Sequence, residues 1–175
     1  MKLARTLTRD RNKSSAQARL TGNEALDDLV AARPISILGV PLLIGLMASL
    51  IFPSSNLPAP LSQGVGMALI GLGILLGYWA VRSLESGGAS PDAFHPPAAL
   101  VTEGPFRFSR NPIYLGFVMI YAGLGALLNS LWIVLLTPVV VIGLTQAIIV
   151  PDERLLDSRF GDEFNTYRER VRRWL

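Results

Sequence analysis

Two short polar clusters carry the residues of this chain that are best suited to bind a charged ligand. The first is Leu100–Gly116, LVTEGPFRFSRNPIYLG, in which Arg107 and Arg110 are permanent cations whose planar donor groups suit a carboxylate or a phosphate. The second is the acidic pair Asp152-Glu153, and no charged residue lies between Arg110 and this pair. Because two neighbouring carboxylates can hold a cationic group, the two clusters together predict a polar site at the edge of an apolar region.

The local chemistry of the first cluster also favours an anion. Gly104-Pro105 predicts a turn with exposed backbone groups. Asn111 is placed to cap a helix whose first residue is Pro112, and the positive end of that helix dipole attracts negative charge. A second interpretation stays open, because arginines and acids at membrane edges often only anchor helices and an Asn-Pro pair often only caps one.

The composition indicates an integral membrane protein of one domain. Of 175 residues, 50% are hydrophobic and only 17% are charged, and the mean hydropathy is +0.41. The chain has no cysteine, which excludes disulfides and thiolate metal sites, and one histidine excludes a multi-histidine site, so we expect no metal. That histidine, His95, lies in a Pro-rich stretch, and we interpret it as a loop residue near the membrane surface rather than a general base.

The hydrophobic pattern predicts an all-α integral membrane protein with four transmembrane helices. At a rise of about 1.5 Å per residue each apolar stretch can cross the hydrocarbon core, although the first is only just long enough. The second stretch contains five glycines, which give small faces for close helix packing. The predicted spans are about 35–52, 61–81, 112–128 and 131–150, the last two joined by a tight turn at 129–130.

Polar segments flank and connect these spans. Residues 1–34 form a basic N-terminal segment with an amphipathic helix, and residues 35–175 form the membrane domain. Within that domain we expect an internal loop over 82–111 and, over 151–175, two C-terminal helices interrupted at Gly161. Four apolar residues of the second helix share one face and are expected to pack on the loop or at the membrane surface. They are Phe164, Tyr167, Val171 and Trp174.

The positive charges predict the orientation in the membrane. All sixteen Lys and Arg residues lie in three segments, with seven in 1–33, three in 82–111 and six in 151–175. With four spans these segments share one side, which the positive-inside rule makes cytoplasmic. All thirteen acidic residues lie on that side as well. We therefore expect both termini and any polar active site at the cytoplasmic face.

The two clusters resemble the isoprenylcysteine carboxyl methyltransferase and phospholipid methyltransferase superfamily of small membrane enzymes. The carboxyl methyltransferases read G-x-Y-x-x-x-R-H-P-x-Y-x-G and then E-E-x-x-L-x-x-x-F-G-x-x-Y-x-x-Y, and the resemblance covers roughly residues 98–175. Phe106 replaces the usual Tyr, Asn111 replaces the His as in phosphatidylethanolamine methyltransferases, and Asp152 replaces the first Glu. The matching residues are Gly104, Arg110, Pro112, Tyr114, Gly116, Glu153, Leu156, Phe160, Gly161 and Tyr167.

The resemblance implies that S-adenosyl-L-methionine is the cofactor and that it lies at the cytoplasmic ends of the last two spans. Arg110 or Arg107 would take its carboxylate and Glu153 its ammonium, which makes Arg110 and Glu153 the implied catalytic pair. Backbone groups of the segment 100–106 would hold the adenosine. The implied cofactor-binding residues are Leu100, Gly104, Phe106, Arg107, Asn111, Tyr114, Asp152 and Glu153.

The implied reaction is methyl transfer from this sulfonium to a lipophilic acceptor with a carboxylate or amine head group. The acceptor stays open among a prenylcysteine carboxylate, a phospholipid amine, a quinone- or hopanoid-like lipid and a small thiol. Two alternatives come from other classes: an NADPH-dependent reductase of the sterol-reductase type, for which the chain is short, and a non-catalytic membrane protein. We expect membrane lipids as partners and no nucleic acid, with the oligomeric state open. A short chain with Arg-Asn-Pro is typical of bacteria, so we expect the bacterial inner membrane.

Overall fold

The structure, a computed structural model, describes residues 34–54, 58–89 and 99–175. The predicted N-terminal amphipathic helix and His95 lie outside the described residues. Over the described ranges every regular element is helical and no strand is present, in agreement with the predicted all-α fold. The elements are α1 (Pro34–Ile51), α2 (Ala59–Ser86), a 3₁₀ turn (Gly104–Arg107), α3 (Pro112–Leu127), α4 (Leu131–Leu144), a π-helical turn (Thr145–Ile149), α5 (Val150–Phe160) and α6 (Asp162–Arg170).

Three of these helices are long and apolar enough to cross a membrane. They are α1 with 18 residues, α2 with 28, and the continuous helix Leu131–Phe160 with 30, which joins α4, the π-helical turn and α5. The helix α3 is also apolar, but its 16 residues extend only about 24 Å. Crossing by α3, and with it the four-span arrangement, stays a prediction.

Two predicted boundaries in the polar segments are wrong. The helix α2 continues to Ser86, whereas the internal loop was expected to begin at Arg82. Four of the five residues at 82–86 are polar, which suits a helix that has left the apolar region, so the turn begins only at Gly87 and Gly88. The helix α6 ends at Arg170, and Val171 is extended (φ −119°, ψ 129°), so Val171 and Trp174 do not belong to the predicted helix.

The helices α2 and α3 pack along a seam of glycines. A Cβ atom added to Gly73 would lie 2.7 Å from the carbonyl oxygen of Gly116, and one added to Gly116 would lie 2.7 Å from the carbonyl oxygen of Gly73. Real side-chain carbons do not approach so closely, so only glycine at both positions allows this backbone contact. The predicted use of the glycines of α2 for helix packing is confirmed at Gly73. This contact holds the first turns of α3 beside the middle of α2.

The remaining helices surround a small apolar core. Tyr121 of α3 and three residues of α4 are buried together, and α1 packs against them along most of its length, from Ile37 to Leu46. The turn between α3 and α4 lies at the predicted position, with Asn129 in the left-handed region (φ 50°) and the Ser130 hydroxyl accepting a bond from the Ile133 amide. The buried α4 residues are Ile133, Val140 and Leu144. The hairpin therefore returns the chain, through α5, to the end of the bundle where α3 begins.

Candidate active site

Glu153 lies at the centre of an ion cluster formed by three separate parts of the chain. Its Oε1 atom is 3.1 Å from Nη1 of Arg110, which precedes α3. Arg173, beyond the end of α6, donates to the same carboxylate twice, from Nε to Oε1 at 3.1 Å and from Nη2 to Oε2 at 2.6 Å. The structure thus brings together the predicted pair Arg110 and Glu153 and adds a second arginine that was not predicted.

Arg110 retains hydrogen-bonding capacity in this cluster. Its side chain is only 10% exposed, yet within the described residues its Nε and Nη1 atoms make no hydrogen bond of acceptable geometry, although Nη1 is paired by charge with Glu153. Burial lowers the pKa of Arg110, and the charge of Glu153 opposes that shift. Buried donors are normally satisfied, so these two atoms point to an acceptor that the described chain does not supply.

The C-terminal segment 171–175 covers the Arg-Asn-Pro motif. The amide of Arg110 donates to the carbonyl of Arg172, and Nδ2 of Asn111 donates to the carbonyl of Arg173 at 3.0 Å. The Ser109 hydroxyl lies 3.4 Å from the same Arg173 carbonyl. Asn111 occupies the N-cap position of α3 as predicted, but its side chain makes no capping bond because it is directed to this segment. The motif therefore positions Arg173 as well as Arg110.

The π-helical turn gives the covering segment a further anchor. The indole nitrogen of Trp174 donates to the hydroxyl of Thr145 at 3.3 Å, and that hydroxyl donates to the carbonyl of Val141 at 2.6 Å. Single π-helical turns within α-helices are rare and are frequent at functional sites. Here the turn ends at Ile149, three residues before the acidic pair.

Asp152, the first residue of the acidic pair, has different contacts from Glu153. The hydroxyl of Tyr114 donates to Oδ2 of Asp152 at 3.4 Å, and within the described part of the chain no cation pairs with this carboxylate. Asp152 lies on the polar helix α5, beyond the apolar stretch that ends at Val150. Asp152 is an exposed residue of α5, but the neighbouring protein desolvates its carboxyl group and raises its pKa to about 6; the bond from Tyr114 lowers this pKa, and the charge of Glu153 raises it.

Two clefts lie on either side of the segment 100–104. The α2 cleft, of about 540 Å³, lies between this segment and the end of α2, and the α6 cleft, of about 500 Å³, lies between it and α6. The α2 cleft is lined by Trp79, Arg82, Ser83, Ser86, Gly87, Leu100, Val101, Thr102, Glu103 and Gly104. The α6 cleft is lined by Thr102, Arg107, Glu163, Thr166, Tyr167, Arg170 and Val171.

Phe106 and Tyr167 connect the 3₁₀ turn to α6. Both are 8% exposed, and the Tyr167 hydroxyl donates to the carbonyl of Phe106 at 2.7 Å. Burial raises the pKa of Tyr167, and the charge of Arg110 opposes this. Packing of the apolar face of α6 is confirmed, since Phe164 is also fully buried. This bond joins α6 to the 3₁₀ turn.

The predicted site residues therefore fall into separate groups. Arg110 meets Glu153, and Tyr114 meets Asp152, but Leu100 and Gly104 line the α2 cleft and Arg107 lines the α6 cleft. Sequence reasoning missed three residues of the site. They are Arg173, Trp174 as a polar anchor, and Ser109. The cluster of arginines beside a tryptophan in RERVRRWL was a signal for the first two, but it gave no indication of which arginine turns inward.

The fold and the site define a class of protein. It is a helical integral membrane protein with long apolar helices and a charged site beside clefts at one end of them. The chain belongs to the phospholipid methyltransferase family, whose model matches residues 61–163, more than half of the chain. It is therefore a methyltransferase with a lipid-related substrate. No curated protein and no solved structure gives a significant match. The family match ends before Arg173.

Proposed function

We propose that the protein transfers a methyl group from S-adenosyl-L-methionine to the head group of a membrane lipid, at the cytoplasmic face. The observation that carries this proposal is the contact between Arg110 and Glu153, at 3.1 Å, at the end of the apolar helices. An amino-acid ligand presents one carboxylate and one ammonium, and this pair offers one partner for each. The orientation rests on the positive-inside rule, applied to the sixteen basic residues of the segments 1–33, 82–111 and 151–175.

The residues present fit such a cofactor. The Nε and Nη1 atoms of Arg110, which make no hydrogen bond within the described residues, suit a carboxylate, because a buried guanidinium gains most from a charged acceptor. Glu153 suits an ammonium, which would take the place that Arg173 now occupies. We place the adenosine against the segment 100–106, which carries Leu100, Gly104 and Phe106 and separates the two clefts. Arg107 lines the α6 cleft and is the second candidate for the carboxylate.

The protein's own contribution is positioning and electrostatics. When bound, the cofactor supplies an electrophilic methyl group on a positively charged sulfur. Arg110 and Glu153 would orient the cofactor's amino-acid end, and the covering segment 171–175 would exclude water from it. The acceptor would enter from the bilayer, because the outer faces of α1 and α2 are apolar. No described group of three or more His, Cys, Asp or Glu forms a metal site, and the proposed reaction uses none.

Calorimetry on the purified full chain in detergent tests this proposal. We expect binding of S-adenosylhomocysteine and no binding of NADPH, and binding of NADPH alone would support a reductase instead. Incubation of membrane lipids with a radiolabelled methyl donor should give labelled lipid. Glu153→Gln should abolish that labelling, whereas Glu169→Gln, at an exposed position of α6, should preserve it. Labelling by Glu153→Gln at the wild-type rate would contradict the assigned role of this carboxylate.

A further inference from the structure

The two neighbouring carboxylates do not share a partner. Glu153 is held by the guanidinium groups of Arg110 and Arg173 and is 13% exposed. Asp152 contacts the hydroxyl of Tyr114 and, within the described ranges, no cation. Adjacent residues of an α-helix point about 100° apart, so the two carboxylates face different sides of α5. The carboxylate of Glu153 is therefore already paired with two cations, whereas the neighbouring carboxylate of Asp152 is free to bind one.

The surroundings of Asp152 favour a cation or a proton donor over an anion. Tyr114 comes from the first turn of α3 and packs against the apolar core of the bundle. The described residues of α1 and α4 contain no Asp, Glu, Lys, Arg or His. Within the described residues, the groups that act on the Asp152 carboxylate are Tyr114, which donates to it, and Glu153 on its own helix, whereas Arg110 and Arg173 pair with Glu153. A lipid carboxylate placed here would meet like charge and no donor other than a tyrosine hydroxyl.

We propose that Asp152 is the catalytic residue that binds the ammonium of an amine head group and accepts its proton, and that Tyr114 positions the carboxylate for this role. The hydroxyl of Tyr114 donates to Oδ2, so Oδ1 would be the oxygen that takes the proton of the substrate. This inference rests on the proposed methyl transfer. It divides the acidic pair between two ligands, with Glu153 for the cofactor and Asp152 for the acceptor.

The division follows from what the reaction requires of an amine. A protonated amine has no lone pair, so the N–H bond must break and its proton must move to Asp152, which becomes a neutral carboxylic acid. The nitrogen lone pair then forms the new N–C bond while the C–S bond of the sulfonium donor breaks, and its electron pair stays on sulfur. The product is a methylated ammonium and a neutral thioether, and Asp152 later returns its proton to water. A carboxylate acceptor needs no such base.

The acid–base properties of Asp152 suit this step. A general base works best when its pKa lies near the operating pH, and the pKa of Asp152 is raised to about 6. The residue is then ionised at neutral pH and still basic enough to take a proton within the site. Because Asp152 must be deprotonated to act, the rate of methyl transfer should rise with pH up to about 6 and level off above it.

Kinetics on the full chain in phosphatidylglycerol nanodiscs containing phosphatidylethanolamine test the proposal. Asp152→Asn should lower kcat by about 10²- to 10⁴-fold, the usual contribution of a general base, and remove the inflection near pH 6. Its residual rate should instead keep rising above pH 7, because solvent must deprotonate the amine. Asp157→Asn, at an exposed position of the same helix, is the matched control and should behave as wild type.

The Tyr114→Phe variant distinguishes a role of Tyr114 in positioning Asp152 from a purely structural role. Loss of the hydroxyl removes the bond that lowers the pKa of Asp152, so the inflection of the rate should move to higher pH. A purely structural tyrosine would change thermal stability without moving the inflection. An unshifted inflection in Tyr114→Phe, or a wild-type rate and pH profile in Asp152→Asn, overturns the proposal. Transfer to a lipid carboxylate but not to the amine overturns it as well.

A measurement without turnover distinguishes failure of this inference from failure of the proposed function. With ¹³C-labelled aspartate, the Asp152 carboxyl resonance is the one missing from Asp152→Asn. We expect it to shift when phosphatidylethanolamine enters the nanodisc and not when phosphatidylcholine does, since a quaternary ammonium has no proton to donate. An equal response to both lipids, or no response, overturns the assignment of Asp152. Absence of methyl transfer with the expected shift present refutes the proposed reaction and not the amine site.

Discussion

Replacement of Arg173 by alanine should tighten the binding of S-adenosylhomocysteine. Arg173 holds Glu153 through two hydrogen bonds, of 2.6 and 3.1 Å, and so occupies the carboxylate that we assign to the ammonium of the cofactor. Binding of the cofactor must therefore displace the Arg173 guanidinium from Glu153 to admit the cofactor's ammonium. Arg110 remains on Glu153 at 3.1 Å in the variant, so the carboxylate is not left unpaired.

The size of the effect follows from the exposure of the pair. Hydrogen bonds to charged groups contribute about 1.5–3 kcal/mol, whereas exposed ion pairs contribute about 0.2–1 kcal/mol. The Arg173 side chain is 39% exposed and that of Glu153 is 13% exposed, so solvent screening reduces the larger figure. We take about 1.4 kcal/mol, which corresponds to about tenfold tighter binding. Loss of the same contact should lower the thermal stability of the free protein.

Calorimetry with two ligands and one matched variant makes this test specific. 5′-Methylthioadenosine lacks the amino-acid end, so its affinity should be the same for wild type and Arg173→Ala. Arg172→Ala removes an equal charge one residue away and keeps the Arg172 carbonyl that accepts from Arg110. It should leave both affinities unchanged. Weaker binding of S-adenosylhomocysteine by Arg173→Ala would refute the competition and make Arg173 part of the binding site, and an unchanged affinity would refute the ammonium role of Glu153.

Two further predictions concern the packing that holds the site. Gly116→Ala should lower stability by about 1–3 kcal/mol, because the new methyl group lies 2.7 Å from a carbonyl oxygen of α2. Gly71→Ala meets nothing within 4 Å and should be neutral or stabilising by up to about 1 kcal/mol, so equal melting temperatures of the two variants in detergent would contradict this packing. Tyr167→Phe leaves the buried carbonyl of the 3₁₀ turn without its 2.7 Å partner and should destabilise by about 1–3 kcal/mol. An undiminished free energy of unfolding, measured by denaturant titration, would show that this bond does not hold the turn.

Much of the fold was predictable because apolar length and charge segregation act locally. The stretches without charge predicted the positions of all four apolar helices, and Gly161, with φ 48°, separates α5 from α6 as expected. The errors lie where the local signal is weak. The sequence from Arg82 to Ser86 contains neither glycine nor proline, and α2 continues through it.

The site was only partly predictable for a related reason. Arginines before an Asn-Pro pair, and an acidic pair after a long apolar segment, are residue types that suit opposite charges. The sequence by itself therefore made Arg107, Arg110 and the acidic pair candidates for one site, and the family resemblance selected Arg110 and Glu153. The family match over residues 61–163 agrees with that chemistry. Sequence also determined the apolar helices that place both clusters near the end of the bundle.

Only the tertiary structure decided how the charges are shared. Asp152 and Glu153 are adjacent and chemically alike, yet Glu153 faces two arginines and Asp152 faces Tyr114. The helix α5 turns them to different sides, and the contacts on each side come from residues distant in the chain. Arg173 reaches Glu153 because Asn111 and Ser109 hold its backbone, a relation that no spacing in the sequence encodes. Which carboxylate is saturated and which is free depends on packing, because each partner is supplied by a different segment.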